Sequence, residues 1–177
     1  YNRRHAEVLT LVQNAEADIF FLQEVPHRLL SALCELYPFS AHAIDSERVY
    51  GGRDLTNYTV ILSKYPLTDV QSIRFDPLPL KLRTKLAILL MWPLGWARTY
   101  NRNAVTACAE TPAGNVTLVS AHLTLSSPTL RAKEFSKILR SIAEPMIIGG
   151  DFNIIEYGPL KILSWVLGSQ IREALPG

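Results

Sequence analysis

The order of the apolar segments is the feature that most restricts how this sequence can fold. Uninterrupted apolar runs, such as residues 19–22, alternate along the chain with segments in which apolar residues recur every three or four positions. Continuous runs are typical of strands covered on both faces, and the longer spacing gives one buried stripe on a helix. Strands that alternate with helices favour an α/β sandwich over a helix bundle.

The same spacings assign the individual elements. Helices are predicted over four segments, residues 3–16, 26–37, 129–143 and 159–167. Strands are predicted over four others, residues 17–25, 58–63, 115–123 and 146–150, with a turn at 112–114 before the third. Residues 39–56 show neither spacing, and we expect a loop there.

Length and charge limit the class of protein. The 177 residues are 48% apolar, which is enough for one sizeable core, so we expect one domain over residues 1–177. The net charge is only +2, whereas a strong nucleic-acid footprint needs a basic patch or stripe. No Asp or Glu occurs between Pro77 and Ala109, where five basic residues lie. That segment either faces phosphate or an anionic surface or is an ordinary solvated connection.

The sequence offers little support for thiol chemistry or for a membrane span. Cys34 and Cys108 have no CxxC spacing that would suggest a metal or redox site. The longest apolar run, residues 86–97, is too short to cross a bilayer and contains a proline and a glycine. Because the chain starts at Tyr1 and shows no secretory pattern, we interpret it as part of a longer protein.

The stretch EPMIIGGDFNI, residues 144–154, places polar groups directly after an apolar strand. Gly149 and Gly150 let the backbone bend sharply or approach another group closely. Asp151 and Asn153 then fall at the rim of the sheet, where α/β proteins build their sites. Two glycines followed by Asp-x-Asn weaken local folding preferences, which is expected at a functional position.

Polar groups in two other predicted strands complete a candidate metal and phosphate site. Gln23 and Glu24 end the first strand, and His122 lies in the third. Mg²⁺ prefers oxygen ligands and keeps several waters, so Glu24 and Asp151 are enough to hold it. Asn153 adds a neutral amide that does not repel an anionic phosphodiester. His122 can donate a hydrogen bond to a phosphate oxygen or act as an acid.

Two of these residues also have plainer interpretations when taken alone. A single glutamate after a strand, such as Glu24, is more often a surface residue. An isolated histidine in a strand, such as His122, is usually structural. The Gly-Gly-Asp-x-Asn pattern is harder to explain without a function, and it is the combination of all four residues that favours a site.

Four stretches resemble the endonuclease/exonuclease/phosphatase superfamily and occur in its order, ADIFFLQEV, VILSKYPL, VTLVSAHL and MIIGGDFN. Together they cover nearly the whole chain. The first and last segments are most similar to a bacterial branch whose members often carry transmembrane helices ahead of the domain, which suggests the bacterial cytoplasm or a membrane-associated location. The resemblance implies an α/β four-layer sandwich, in which two packed mixed β-sheets are flanked by helices.

The resemblance also implies roles for the four residues. Glu24 matches the metal-binding glutamate of the LQE motif, Asp151 and Asn153 match the pair of the GDFN motif, and His122 matches the histidine that contacts the scissile phosphate. Asp151 would share the metal with Glu24. The reaction implied is in-line attack of water on a phosphoester, assisted by Mg²⁺ or alternatively Mn²⁺. The substrate stays open among nucleic acid, phospholipid and a small phosphoester.

The sequence departs from the family pattern at both ends. The family's first strand, and its last strand with a Ser-Asp-His motif, have no match in residues 1–177. The missing Asp and His activate the attacking water, and losing a general base typically costs about 10²- to 10⁴-fold in rate. We therefore expect these residues alone to be weakly active or inactive. The alternative is a non-catalytic domain of the same fold that binds a phosphorylated or protein partner. The oligomeric state of the chain stays open under either hypothesis.

Another departure lies in residues 80–105, which are more apolar than a loop there needs to be. Trp92 and Trp96, with flanking Lys and Arg, suit a membrane interface or an apolar-tailed phosphoester. A buried strand and hairpin is the alternative interpretation.

Overall fold

Two β-sheets packed face to face, with helices on their outer sides, form the fold of this chain. The structure is a computed structural model that describes residues 4–50, 53–77, 82, 85–86, 99–100, 102–125 and 127–154. Its helices are α1 (His5–Asn14), α2 (His27–Cys34) and α3 (Pro128–Ser141). Its strands are β1 (Ile19–Pro26), β2 (Phe39–Tyr50), β3 (Arg53–Ser63), β4 (Leu67–Arg74), β5 (Thr99–Tyr100), β6 (Asn103–Thr111), β7 (Gly114–His122) and β8 (Met146–Asp151).

The first sheet has the order β1-β3-β2-β5, and every described pair of strands in it is antiparallel. Helices α1 and α2 cover its outer face. The apolar side chains of α2 repeat at helical spacing, and Leu33 is completely buried against Val60 and Leu62 of β3. Val12 of α1 belongs to the same cluster. Burial of these stripes fixes both helices on the sheet.

The second sheet has the order β4-β6-β7-β8 and is mixed, because β8 runs parallel to β7 while the other pairs are antiparallel. Helix α3 connects the two parallel strands. It begins at Ser127, whose hydroxyl accepts a hydrogen bond from the backbone N–H of Leu130. Ile138 anchors the helix through a cluster that includes Val119 and Ala121 of β7.

The layer between the sheets is apolar at one end and polar at the other. Its apolar part consists of small and branched side chains, Ala41, Ala43, Ile61, Val105, Ala107, Ala109 and Leu118. Buried polar side chains occur farther along the same strands, among them Asp45, Asn57, Thr59 and Ser120. Buried polar groups need partners, and the contacts they make define the candidate site.

The predicted sandwich of two packed sheets flanked by helices is confirmed. Among the described strands, mixed pairing occurs in the second sheet and not in the first. The loop predicted over residues 39–56 is wrong, since β2 and the start of β3 occupy it. The inner face of β2 carries small residues, Ala41 and Ala43, followed by the polar Asp45. Such a strand shows no apolar alternation, and its pairing with β3 and β5 holds it in place.

Other elements also differ from the sequence analysis. Helix α2 ends at Cys34, before the expected Tyr37, because the chain turns at residues 35–38 to enter β2. Strand β4 was not predicted, since it is an edge strand exposed along most of its length and irregularly paired between Thr68 and Gln71.

Two sequence-based predictions fall on parts of the chain that the structure does not describe. The helix predicted over residues 159–167 lies outside the described residues, and so do Trp92 and Trp96. Within the described ranges, none of the helices has both the length and the apolar character needed to cross a membrane.

Candidate active site

The candidate site lies where β7 and β8 end. Their last residues, His122 and Asp151, are partners in the parallel register. Neighbouring parallel strands end at the same edge of a sheet, so both side chains lie at one rim. Nε2 of His122 is 3.9 Å from Oδ2 of Asp151. The histidine side chain is only 16% exposed, whereas that of Asp151 is 56% exposed.

The two glycines of β8 permit close packing on both sides of the strand. Gly150 has a φ of +145°, and a Cβ atom there would lie 1.9 Å from the carbonyl oxygen of Ala121 in β7. A Cβ atom on Gly149 would lie 2.4 Å from the ring of Phe21 in β1. Side chains are therefore excluded at both positions. The Gly-Gly pair lets β8 sit between β7 and β1, which brings Asp151 to the site.

A buried carboxylate that the sequence analysis did not select orients His122. Asp45 is 1% exposed, and its oxygens lie 3.0 and 3.2 Å from Nδ1 of His122. The register of β2 with β3 shifts between Ile44 and Ser46, so Asp45 occupies a bulge. Bulges re-aim side chains beside active sites. Since Nδ1 is bound to Asp45, Nε2 is the ring nitrogen on the side of Asp151.

The same carboxylate holds the end of β1. The backbone N–H of Glu24 donates a hydrogen bond to Oδ2 of Asp45 over 3.2 Å. Glu24 has a φ of 54°, and the pairing of β1 with β3 is irregular between Leu22 and Val25. Such left-handed backbone costs a non-glycine residue on the order of 1–3 kcal/mol and clusters at functional sites. Asp45 thus fixes His122 and the strained, exposed Glu24 together.

Asp151 and Asn153 form a tight turn after β8. Oδ1 of Asp151 accepts a hydrogen bond of 2.8 Å from the backbone N–H of Asn153. The side-chain nitrogen of Asn153 donates to the carbonyl oxygen of Leu123, also over 2.8 Å. The φ of Asn153 is 49°, a conformation that asparagine tolerates better than most residues. The turn therefore fixes both side chains against the end of β7.

A polar bridge joins the two sheets below the rim. The hydroxyl of Thr59 in β3 donates to Oγ of Ser120 in β7 over 2.8 Å. The side-chain nitrogen of Gln23 in β1 donates to the same Oγ over 3.0 Å. The bridge ties the end of β1 to the end of β7, so Glu24 and His122 stay at one site.

Comparison with known proteins decides the family. The model of the Endonuclease/Exonuclease/phosphatase family matches residues 1–157. The chain belongs to this family. No curated protein matches the chain significantly. Enzymes of the family hydrolyse phosphoesters and typically depend on divalent metal ions.

Solved structures share the fold of this family member at low sequence identity. Sphingomyelinase C from Streptomyces griseocarneus matches with a TM-score of 0.60 and 15% identity, covering 94% of this chain and 63% of that one. A family protein from Bacteroides vulgatus matches with a TM-score of 0.57 and 20% identity, covering 89% of this chain and 60% of that one. Truncated TDP2 from Caenorhabditis elegans matches with a TM-score of 0.56 and 21% identity, covering 86% of this chain and 56% of that one. Identities this low show the fold alone, and this chain spans less than two thirds of each of these structures.

The carboxylate oxygens at the rim are of the type that hydrated Mg²⁺ prefers, and they do not form a closed metal cage among the described residues. Within the described part of the chain, no three His, Cys, Asp or Glu side chains are grouped so as to enclose a metal ion. Asp151 is an exposed carboxylate 3.9 Å from His122, and Glu24 is an exposed residue whose negative charge raises the pKa of His122. Mg²⁺ usually keeps several waters and takes one or two carboxylates plus substrate phosphate. This open arrangement is one that the family's metal can use.

The surroundings of His122 raise the pKa of its imidazole ring. Burial lowers its pKa, but the hydrogen bond and negative charge of Asp45, together with the charge of Glu24, raise the pKa by more. The positive charge of Arg102 opposes them, and the net pKa lies above the ordinary value of 6.5. A protonated imidazole donates hydrogen bonds from both nitrogens. The raised pKa therefore favours the form in which Nε2 carries a proton and can donate at the rim.

The Asp45→Asn substitution is expected to lower the pKa of His122, because the burial remains while the charged partner is lost. A pKa raised in the folded state stabilises the wild type fully below about pH 6.5, and this stabilisation disappears as pH rises through the folded-state pKa. The variant should thus be most destabilised at low pH. NMR titration of the His122 ring measures the shift. Asp18→Asn, just before β1, is the control, and an unchanged His122 pKa in Asp45→Asn would refute the pairing.

Proposed function

We propose that this protein is a divalent-metal-dependent phosphoester hydrolase with Glu24, His122, Asp151 and Asn153 as its site. The observation that carries the proposal is the placement of His122 between the buried Asp45 and the rim residue Asp151. Asp45 holds this histidine at Nδ1, so Nε2 faces the rim, and the raised pKa of the ring favours its charged form. Membership of the family supplies the class of reaction.

Glu24 and Asp151 are the residues that would hold the metal ion, with Mg²⁺ as the first choice and Mn²⁺ as the alternative. Both supply hard oxygen ligands at an open rim. When bound, the ion supplies Lewis-acid polarisation of a phosphoryl oxygen and stabilises the leaving oxygen.

His122 and Asn153 would bind and orient the phosphoester. The Nε2–H of His122 donates to a phosphoryl oxygen, and its positive charge offsets the repulsion between an anionic phosphate and the carboxylates beside it. Asn153 positions a phosphoryl oxygen or a water without adding negative charge. Asp45 acts through His122, since its carboxylate is buried away from the rim and holds the ring nitrogen Nδ1.

The substrate class is open among nucleic acid, phospholipid and a small phosphoester. The modest net charge of +2 gives nucleic acid no advantage over the other two. We also propose that residues 1–177 form one domain of the protein.

A panel of phosphoesters tests the proposal and separates these substrate classes. Bis(p-nitrophenyl) phosphate, plasmid DNA, sphingomyelin vesicles and p-nitrophenyl phosphate are incubated with the protein at its natural length and Mg²⁺. We expect metal-dependent turnover on at least one of them, and the preferred substrate identifies the class. A folded, metal-supplied protein that turns over none of them would favour the non-catalytic binding domain instead.

We further propose that Trp92 and Trp96 contact a membrane interface, a role that rests on the sequence because both lie outside the described residues. Their indole rings suit the headgroup region, and the basic residues around them suit anionic lipid. Replacing both with alanine should weaken co-sedimentation with phosphatidylglycerol vesicles by about 30-fold, if each ring contributes on the order of 1 kcal/mol. Trp165→Ala is the matched control. Unchanged binding of the double variant would exclude the membrane contact.

A further inference from the structure

A buried ion pair lies directly behind the candidate site. Arg102, which precedes β6, binds Glu134 of α3 through its Nη1 atom and the carboxylate Oε1. The two side chains are only 11% and 7% exposed. The guanidinium also lies over the ring of Phe75, 5.5 Å from its centroid. The pair therefore packs between α3, the residue that follows β4 and the start of β6.

The remaining polar atoms of this ion pair bind the backbone at the end of β7 and just after it. Nη2 of Arg102 donates to the carbonyl oxygen of His122 over 2.7 Å. Oε2 of Glu134 accepts a hydrogen bond of 2.8 Å from the backbone N–H of Thr124. One planar guanidinium and one carboxylate thus clamp both ends of residues 122–124.

The residue between these two contacts is held from the opposite side by the turn after β8. The backbone N–H of Leu123 donates to the carbonyl oxygen of Asp151 over 2.9 Å. The Leu123 carbonyl oxygen accepts the side-chain amide of Asn153. Any shift of residues 122–124 would therefore move His122 and Asn153 together.

The energetics of buried ion pairs argue for a geometric role. Desolvation offsets most of the attraction between two buried charges, so such a pair is weak evidence for stability. Its value lies instead in the fixed directions of the guanidinium and carboxylate hydrogen bonds. Here those directions point at the two successive peptide groups that follow His122.

We infer that Arg102 and Glu134 are positioning residues that hold His122 and Asn153 in the geometry needed for phosphoester hydrolysis. The inference rests on the proposed function for its kinetic consequence. Its structural consequence, a fixed place for the Asn153 side chain, is independent of any activity.

Arg102→Lys is the decisive variant because it keeps the positive charge but loses the planar fork. A lysine ammonium cannot bind Glu134 and the His122 carbonyl with the same geometry. We expect kcat in the natural-length protein to fall about 10- to 100-fold, with KM changed less than about twofold, as for small misplacements of reacting groups. Asp76→Asn is the matched control, since it breaks the exposed ion pair between Asp76 and Lys137, which lies on the same helix as Glu134.

The NMR signal of the Asn153 side-chain amide is the second readout, and it needs no substrate. It should shift in Arg102→Lys and in Glu134→Gln, and stay in place in Asp76→Asn. Urea titration identifies the variants that fold, and either folded variant is sufficient for the test. A folded variant with wild-type kcat and an unshifted Asn153 signal would overturn the inference. If the wild type showed no turnover but the Asn153 signal still shifted in the variants, the proposed function would be refuted and the positioning role would remain supported.

Discussion

Asp151→Asn is expected to lower kcat/KM for phosphoester hydrolysis by about 10³-fold, since a metal ion supplies several kcal/mol of transition-state stabilisation and each ~1.4 kcal/mol is tenfold. The substitution keeps an oxygen that accepts the backbone N–H of Asn153, so the turn after β8 is retained. It removes the negative charge that a divalent cation needs. Steady-state kinetics on the preferred phosphoester, in the natural-length protein, measures the effect.

Asp18→Asn is the matched control for this substitution. Asp18 is also an exposed carboxylate, but it pairs with Lys64 just before the start of β1 rather than with the rim residues. Its loss should leave kcat/KM unchanged. If Asp151→Asn retained activity within about threefold of the wild type, Asp151 could not be a metal ligand of the reaction.

Gly150→Ala is expected to destabilise the protein by more than about 4 kcal/mol. Few single substitutions cost so much, and the loss is a large part of the unfolding free energy of a typical domain. The new Cβ would lie 1.9 Å from a backbone carbonyl oxygen, and the φ of +145° is one that side chains rarely adopt. Only separation of β8 from β7 relieves the clash. Urea unfolding followed by circular dichroism measures the loss.

Gly114→Ala separates the clash from the backbone strain. Gly114 also has a positive φ, +116°, but a Cβ atom there would meet nothing within 4 Å. This control should lose only the strain energy, on the order of 1–3 kcal/mol. Equal unfolding midpoints for the two variants would show that β8 does not pack on β7 as closely as described.

The rim of the site was accessible to sequence reasoning because its residues follow apolar strands. His122 and Asp151 each end a strand whose apolar run is plain in the sequence. Gly149 and Gly150 carried the further signal that a backbone approaches closely there, and both positions exclude a Cβ atom. Local pattern and fold point to the same residues, and their catalytic roles remain proposals.

Asp45 could not be found in this way, because its importance arises from a contact across 77 residues of sequence. It lies in a strand whose inner side chains are small or polar, so no apolar period marks β2. The bulge that aims the carboxylate depends on the pairing of β2 with β3. No local signal in the sequence therefore singled out Asp45.

The ion pair behind the site was hidden for a related reason. Arg102 stood out only as one cation in an acid-free segment, and Glu134 only as a polar residue of an amphipathic helix. Long charged residues on a helix usually face solvent. Their burial follows from the packing of α3 against β7, which no local pattern predicts.

Metal-dependent hydrolysis of bis(p-nitrophenyl) phosphate is the most direct test of the proposed site. The natural-length protein is assayed with Mg²⁺, after removal of the ion with EDTA, and after Mg²⁺ is returned, with Asp151→Asn measured in parallel. We predict turnover with Mg²⁺, none with EDTA, recovery on return of the ion, and a loss of about 10³-fold in the variant. Turnover that survives EDTA, or that is equal in wild type and Asp151→Asn, would contradict a metal-dependent site at this rim.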